Sequence, residues 1–170
     1  ILDLLIGIII FILFTEKKTK RVFEFWKFER PPHYFYYIQT FKETQRHLNM
    51  NGETVTNIVT EVYSSLGAGY SERVYHTAVE VYLRQMGIQY ESERIVPITF
   101  KGHVVGNLRA DIIVNNEVVL EFKTIKSLND QGELQAQNYL NLLGLKKAFL
   151  INFPPFPNRD VEIRYIKALA

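Results

Sequence analysis

Cysteine is absent from all 170 residues. Its absence excludes a disulfide scaffold, a thiolate zinc site and a cysteine nucleophile. Charge of one sign is scarce too. Twenty Lys and Arg against 18 Asp and Glu leave +2, too little to argue by itself for nucleic acid or a membrane. Internal repeats and low-complexity tracts are missing. With 47% hydrophobic and 22% charged residues, the composition is globular, which rules out collagen-like and wholly disordered chains. The length suits one domain with an appendage.

What is present is unevenly spread. Residues 1–49 carry 8 Lys/Arg, 5 Asp/Glu and 11 of the 23 aromatics; residues 50–170 carry 12 Lys/Arg and 13 Asp/Glu, a net of −1. The chain starts at Ile1, which reads as a fragment or a misplaced start, and Met50 stands just ahead of the regular pattern. Leu4 to Phe14 is an unbroken apolar run followed by Glu16-Lys17-Lys18-Thr19-Lys20-Arg21. It is short of the ~20 residues of a bilayer span and closer to the roughly 7–15 of a signal-peptide core. No basic region precedes it, and no small-residue cleavage site follows. Three readings stay open: a segment outside the fold, a membrane anchor with its basic flank inside the cell, or an extra packed helix. Residues 22–41 are aromatic-rich around Pro31-Pro32, which suits base stacking and a membrane interface equally. The expected organisation is residues 1–49 as anchor or non-domain sequence and residues 50–170 as the domain.

From Met50 the periodicity is clear. Val55, Ile58, Val59 and Val62 recur at helical spacing within Glu53–Ser65, and Gly67-Ala68-Gly69 stops that helix. Ser71 opens a second, through about Met86, with Val74, Ala78, Val81 and Tyr82 on one side and Gly87 as its stop. Tyr75, spaced with Val79 and Tyr82, reads as core. Ile95–Phe100, Val104–Val114 and Val118–Thr124 read as strands, with turns at Lys101-Gly102 and Asn115-Asn116. Asp130–Leu143 reads as a helix ended by Gly144. Lys147–Asn152 is an apolar strand, and Val161–Ile166 alternates like an edge strand. Three antiparallel strands followed by a helical crossover predict an α/β fold with a mixed sheet.

Asp111, Glu121 and Lys123 lie inside otherwise apolar strands, where charge is costly unless paired or metal-bound. A two-residue loop at Asn115-Asn116 would set Asp111 opposite Leu120. A three-residue loop or a bulge sets it opposite Glu121. The second register gathers Ala110, Ile112, Val114, Val118, Leu120 and Phe122 on one face and Arg109, Asp111, Glu121 and Lys123 on the other. A one-residue slip would mix the two, so the second is expected. Facing carboxylates ~5 Å apart repel, and a shared divalent cation relieves the repulsion. Oxygen donors without thiolate favour Mg²⁺ or Mn²⁺ over zinc. A neighbouring lysine can orient water or offset charge on a phosphate. The bland alternative is a solvated sheet face with cross-strand ion pairs, Asp111 with Lys123 or Arg109 with Glu121.

Asp111 followed by Glu121-Phe122-Lys123 resembles the D…E-x-K core of the PD-(D/E)XK nuclease superfamily. Leu66 to Tyr75 resembles the signature of its GxxExxY family, with Gly69, Glu72 and Tyr75 at the named spacing. Asn107–Asp111, Gln135, Tyr139-Leu140, Gly144 and Leu150–Phe153 follow in the family's order, so that the likeness covers about Met50 to Lys167. The resemblance implies a restriction-endonuclease-like core of helix, three strands, helix and strand, with metal-dependent phosphodiester chemistry. Carried over, Glu72, Asp111 and Glu121 would be metal ligands with the Phe122 carbonyl. Lys123 would act on the attacking water or the phosphate, and Gln135 would line the site. Ala110 replaces the usual proline before the aspartate. His76 and His103 are lone histidines, read without a catalytic role.

The leading expectation is therefore a metal-dependent nuclease using Mg²⁺ or Mn²⁺ on nucleic acid, DNA first. The alternative is a nuclease-fold module that binds nucleic acid or protein without cutting. Membrane attachment is expected only through residues 1–21, a homodimer is left open, and an intracellular setting is favoured by the missing cysteine and the nucleic-acid substrate.

Overall fold

The computed structural model describes residues 50–157 and 159–169. The apolar run, the aromatic segment and the membrane and anchor readings attached to them lie outside the described residues. Among the described residues no helix is long and apolar enough to cross a membrane.

Helix α1 (Gly52–Leu66) is capped by Asn51, whose side chain accepts from the Thr54 N–H at 2.8 Å. It buries the expected stripe Val55, Ile58, Val59 and Val62. Helix α2 (Glu72–Gln85) buries Tyr75, His76, Val79 and Leu83. The side expected from Val74 and Val81 is therefore rotated, and both valines are exposed. The tyrosine decides the rotation. Tyr75 stacks on Phe153 at 4.5 Å, and its hydroxyl donates to the Gly67 carbonyl at 2.6 Å, a larger buried contact than either valine offers.

Strand β1 (Tyr90–Phe100) turns at Lys101-Gly102 into β2 (His103–Val114), then β3 (Val118–Lys123), helix α3 (Asp130–Leu143), β4 (Lys147–Asn152) and β5 (Glu162–Lys167). The sheet order is β1-β2-β3-β4-β5. Only β3 and β4 run parallel, joined by the α3 crossover; every other neighbouring pair is antiparallel. One apolar cluster packs α1 and α2 on Ile112, Val114, Leu120 and Phe122, and the other packs α3 on Ala110, Ile113 and Val119. This mixed five-stranded sheet between helices agrees with a restriction-endonuclease-like core.

The β2–β3 hairpin has the expected register. Val114 pairs with Val118 and Ile112 with Leu120, so Asn115, Asn116 and Glu117 form the loop. Both asparagines are left-handed, at φ 51° and 55°. The expected division into faces, however, holds only up to Asp111. Ala110 packs with Ile113 on the α3 side, whereas Ile112 packs on the α2 side. The alternation thus shifts by one residue at Asp111. The β1–β2 pairing marks the place: it passes from Ser92–Ile112 to Arg94–Ala110 and skips Glu93 and Asp111. Glu93 is left-handed there, at φ 51°. Arg109 accordingly does not share a face with Glu121 and Lys123.

Candidate active site

Beyond the Ile112–Leu120 pair, β2 parts from β3. The Phe122 N–H, left without a ladder partner across that gap, donates to Asp111 Oδ2 at 2.8 Å. On the other side the Asp111 carbonyl, skipped by β1, lies 3.1 Å from His76 Nε2. A carbonyl can only accept, so Nε2 carries a proton and donates it. Asp111 is thus fixed through side chain and main chain at the point where three strands separate.

Glu121 comes from a central strand and is 2% exposed. Lys123 Nζ bonds its Oε1 at 2.6 Å, while its Oε2 is buried with no hydrogen-bond partner. Burial, and secondly the Asp111 carboxylate, push the Glu121 carboxyl up to about 8, against the pull of Lys123. Burial also raises Asp111, opposed by the Phe122 N–H and then by Lys123, His76 and Arg109. Glu72, in the first turn of α2, is raised by burial as well; Lys123 opposes this and Asp111 adds to it. The three acids and the lysine named from the sequence therefore share one electrostatic site. The cross-strand ion pairs of the bland alternative do not form. Lys123 pairs along its own strand with Glu121, and Arg109 contacts Glu93 at 3.7 Å.

Gln135 reaches this site through Tyr139, which the sequence pattern did not mark as site material. Gln135 Nε2 donates to Tyr139 Oη at 3.0 Å, and Tyr139 Oη donates to the Arg109 carbonyl at 2.5 Å. Burial first, then the Glu121 charge, raise the Tyr139 hydroxyl to about 12, so it remains a donor. His76, read from the sequence as a lone histidine without a catalytic role, is the other neighbour of the site. Both could have been found by helical spacing, since Tyr139 stands four residues after Gln135 and His76 four after Glu72, each on its neighbour's face. The Phe122 ring is core, 5.9 Å from Phe153. His103 is exposed at the distant β1–β2 turn.

Among the described residues no group of three His, Asp or Glu is arranged to hold a metal ion as it stands. The donor chemistry nevertheless fits a hard divalent cation. An unpartnered carboxylate oxygen is buried beside a second carboxyl that repels it, and oxygen ligands are what Mg²⁺ and Mn²⁺ take.

The sequence model of the PD-(D/E)XK nuclease superfamily matches residues 49–166. The chain belongs to this superfamily. PD-(D/E)XK nucleases generally use divalent metals, and the superfamily implies a nucleic-acid substrate. No curated protein matches this PD-(D/E)XK chain. The crystal structure of SSO0001 resembles it at 22% identity and a TM-score of 0.47, over 84% of this chain and 80% of that one.

Proposed function

We propose that this PD-(D/E)XK protein is a nuclease of the GxxExxY family that hydrolyses phosphodiester bonds, those of DNA first, with Mg²⁺ or Mn²⁺. The observation carrying this reading is Glu121, a buried carboxyl with one oxygen unpartnered, sharing a site with Asp111, Glu72 and Lys123. Burying these groups costs stability, which a structural role would not require. The GxxExxY assignment is supported by what the motif does locally. Gly69 takes φ 97° ahead of α2, Glu72 starts the helix at the site, and Tyr75 anchors it one turn on.

In this mechanism Asp111 and Glu121 would hold the cation, with Glu72 and the Phe122 carbonyl as further ligands. When bound, the cation supplies water activation and charge neutralisation at the phosphate. Lys123 releases Glu121 Oε1 and turns its ammonium to the attacking water or a phosphate oxygen, where negative charge builds. Gln135 and Tyr139 hold the β2 backbone two residues before Asp111, which keeps the carboxylate in position. His76 does the same from α2.

Cleavage of double-stranded DNA, single-stranded DNA and RNA by the full chain, in Mg²⁺, Mn²⁺ and EDTA, tests the reading. Metal-dependent cleavage is expected, with Asp111→Asn lowering the rate at least about a hundredfold, or ~2.7 kcal/mol of barrier. Melting should rise with metal in the wild type and in Lys123→Ala, which loses rate alone, but much less in Asp111→Asn. No cleavage of any substrate, together with metal-independent melting, would leave the non-cutting binding module as the better account.

A further inference from the structure

Residues 50–170 carry 12 Lys/Arg against 13 Asp/Glu, and the site itself gathers three acids. A polyanion approaching it needs cations placed locally. Lys123 is engaged with Glu121. Arg94 contacts Glu91 at 3.5 Å, and Arg164 is held by Glu133, Glu162 and the Leu128 carbonyl. Arg73 and Arg109 are placed differently. Their Nη1 atoms approach the same atom, Glu93 Oε1, at 3.6 and 3.7 Å, and their side chains are 81% and 65% exposed. Both distances exceed a hydrogen bond, so the contacts are Coulombic and weak. Two positive charges around one negative leave one in excess.

The pair exists because of the shift in β2. Regular alternation from Ile112 would carry Arg109 to the α3 side of the sheet. The change at Asp111 puts Ala110 there and turns Arg109 toward α2, where Arg73 follows Glu72. Glu93, the residue of β1 skipped opposite Asp111, adopts the left-handed backbone, which costs a non-glycine residue about 1 kcal/mol. From that position its carboxylate reaches both guanidinium groups. The Arg109 charge is also felt by Glu72 and Asp111, so the pair borders the carboxylates.

We infer that Arg73 and Arg109 form a binding site for a backbone phosphate next to the scissile position, with Glu93 as the resident acceptor that the phosphate displaces. The site rests on the nuclease reading and assigns how the substrate is held. Arginine suits it, because its planar fork binds phosphate oxygens in pairs. Glu93 keeps the two guanidinium groups together in the free protein and competes with the phosphate for them.

The test uses the full chain carrying Asp111→Asn, in Mg²⁺, with a short DNA duplex as probe over a series of salt concentrations. Adding Arg73→Ala or Arg109→Ala should weaken binding about 5- to 10-fold and flatten the salt dependence, lowering its slope by about one for each substitution. The Lys variants should keep the slope and lose part of the affinity. Glu93→Gln should tighten binding, while Glu91→Gln, an acid of the same strand paired with Arg94, should not. Melting should be unaffected by either Ala substitution, since both side chains are exposed. Unchanged affinity and slope in both Ala variants, with the parent binding normally, would overturn the phosphate site and leave the nuclease reading standing. A parent that does not bind, from a wild type that cuts nothing, would overturn both.

Discussion

At Glu121 a carboxyl group sits in the middle of a sheet with Lys123 on one oxygen and nothing on the other. Its ordinary value of 4.5 is raised to about 8 by burial first and Asp111 second. The folded protein therefore holds a proton there that the unfolded chain releases between those two values. Stability gained from the neutral form is full below about 4.5 and is lost as pH rises to about 8. Glu72 and Asp111 are raised in the same direction. In EDTA, the unfolding free energy from urea titration should fall between pH 5 and pH 8.5 by an amount on the order of a few kcal/mol, since each tenfold change in proton affinity is worth about 1.4 kcal/mol. Glu121→Gln should flatten most of that fall. A wild type equally stable at both ends would show that Glu121 ionises freely. Cleavage should run the other way, rising with pH, because the acids must be charged to hold a cation.

Two short elements set the site's geometry. The Asn115–Glu117 loop determines which β3 residue stands abreast of Asp111, and Asn116 holds φ 55° in it while exposed. Asn116→Ala should cost about 1 kcal/mol in chemical denaturation because a Cβ without a polar partner disfavours this conformation. Asn116→Gly should cost nothing or stabilise. Equal loss in both would mean the asparagine side chain is needed rather than its backbone freedom. The first turn of α3 meets β4 closely. A Cβ at Gly132 would lie 2.9 Å from Leu150 Cδ2 in a fully buried contact. Gly132→Ala gains about 1 kcal/mol of helix propensity but overpacks a core at a cost of about 1–3 kcal/mol. A net loss near 1 kcal/mol is expected, and Leu150→Val should relieve part of it in the double variant. Additive losses would show that the close approach is not the cause.

At the scale of the molecule, α1, α2 and α3 cover the two faces of the sheet, and among the described residues both clusters are built from Met50 onward. Residues 50–170 should therefore fold alone, with one sharp thermal transition and the metal response of the full chain. A molten or insoluble product, beside a sharp transition for the full chain, would place residues 1–49 within the fold. Metal response belongs to this scale as well. The proposed ligands come from α2, β2 and β3, so a cation that binds only the folded state should raise the melting of the whole domain, by ~2.7 kcal/mol at a hundredfold excess over its dissociation constant.

The sequence by itself determined the elements whose signals are local. Asn129 and Gly144 bracket α3 at its observed ends because one caps its N–H groups and the other takes the left-handed turn, at φ 66°. The register of the β2–β3 hairpin was also readable as far as the Ile112–Leu120 pair, because a one-residue slip would have moved its apolar set to the wrong face. Only part of β1 was legible: Tyr90–Arg94 is polar and lies on an edge strand, so its strand character comes from pairing with β2 rather than from alternation. The tertiary structure alone decided the break at Asp111. A strand left to itself alternates, and this one departs from alternation where β1 skips a pair, His76 reaches the Asp111 carbonyl from one layer, and Tyr139 reaches the Arg109 carbonyl from the other. Those partners are 35 and 30 residues away in the chain, so no local pattern records them. Through them, the Asp111 and Arg109 carbonyls are tied to α2 and α3, and the Arg109 side chain meets Glu93.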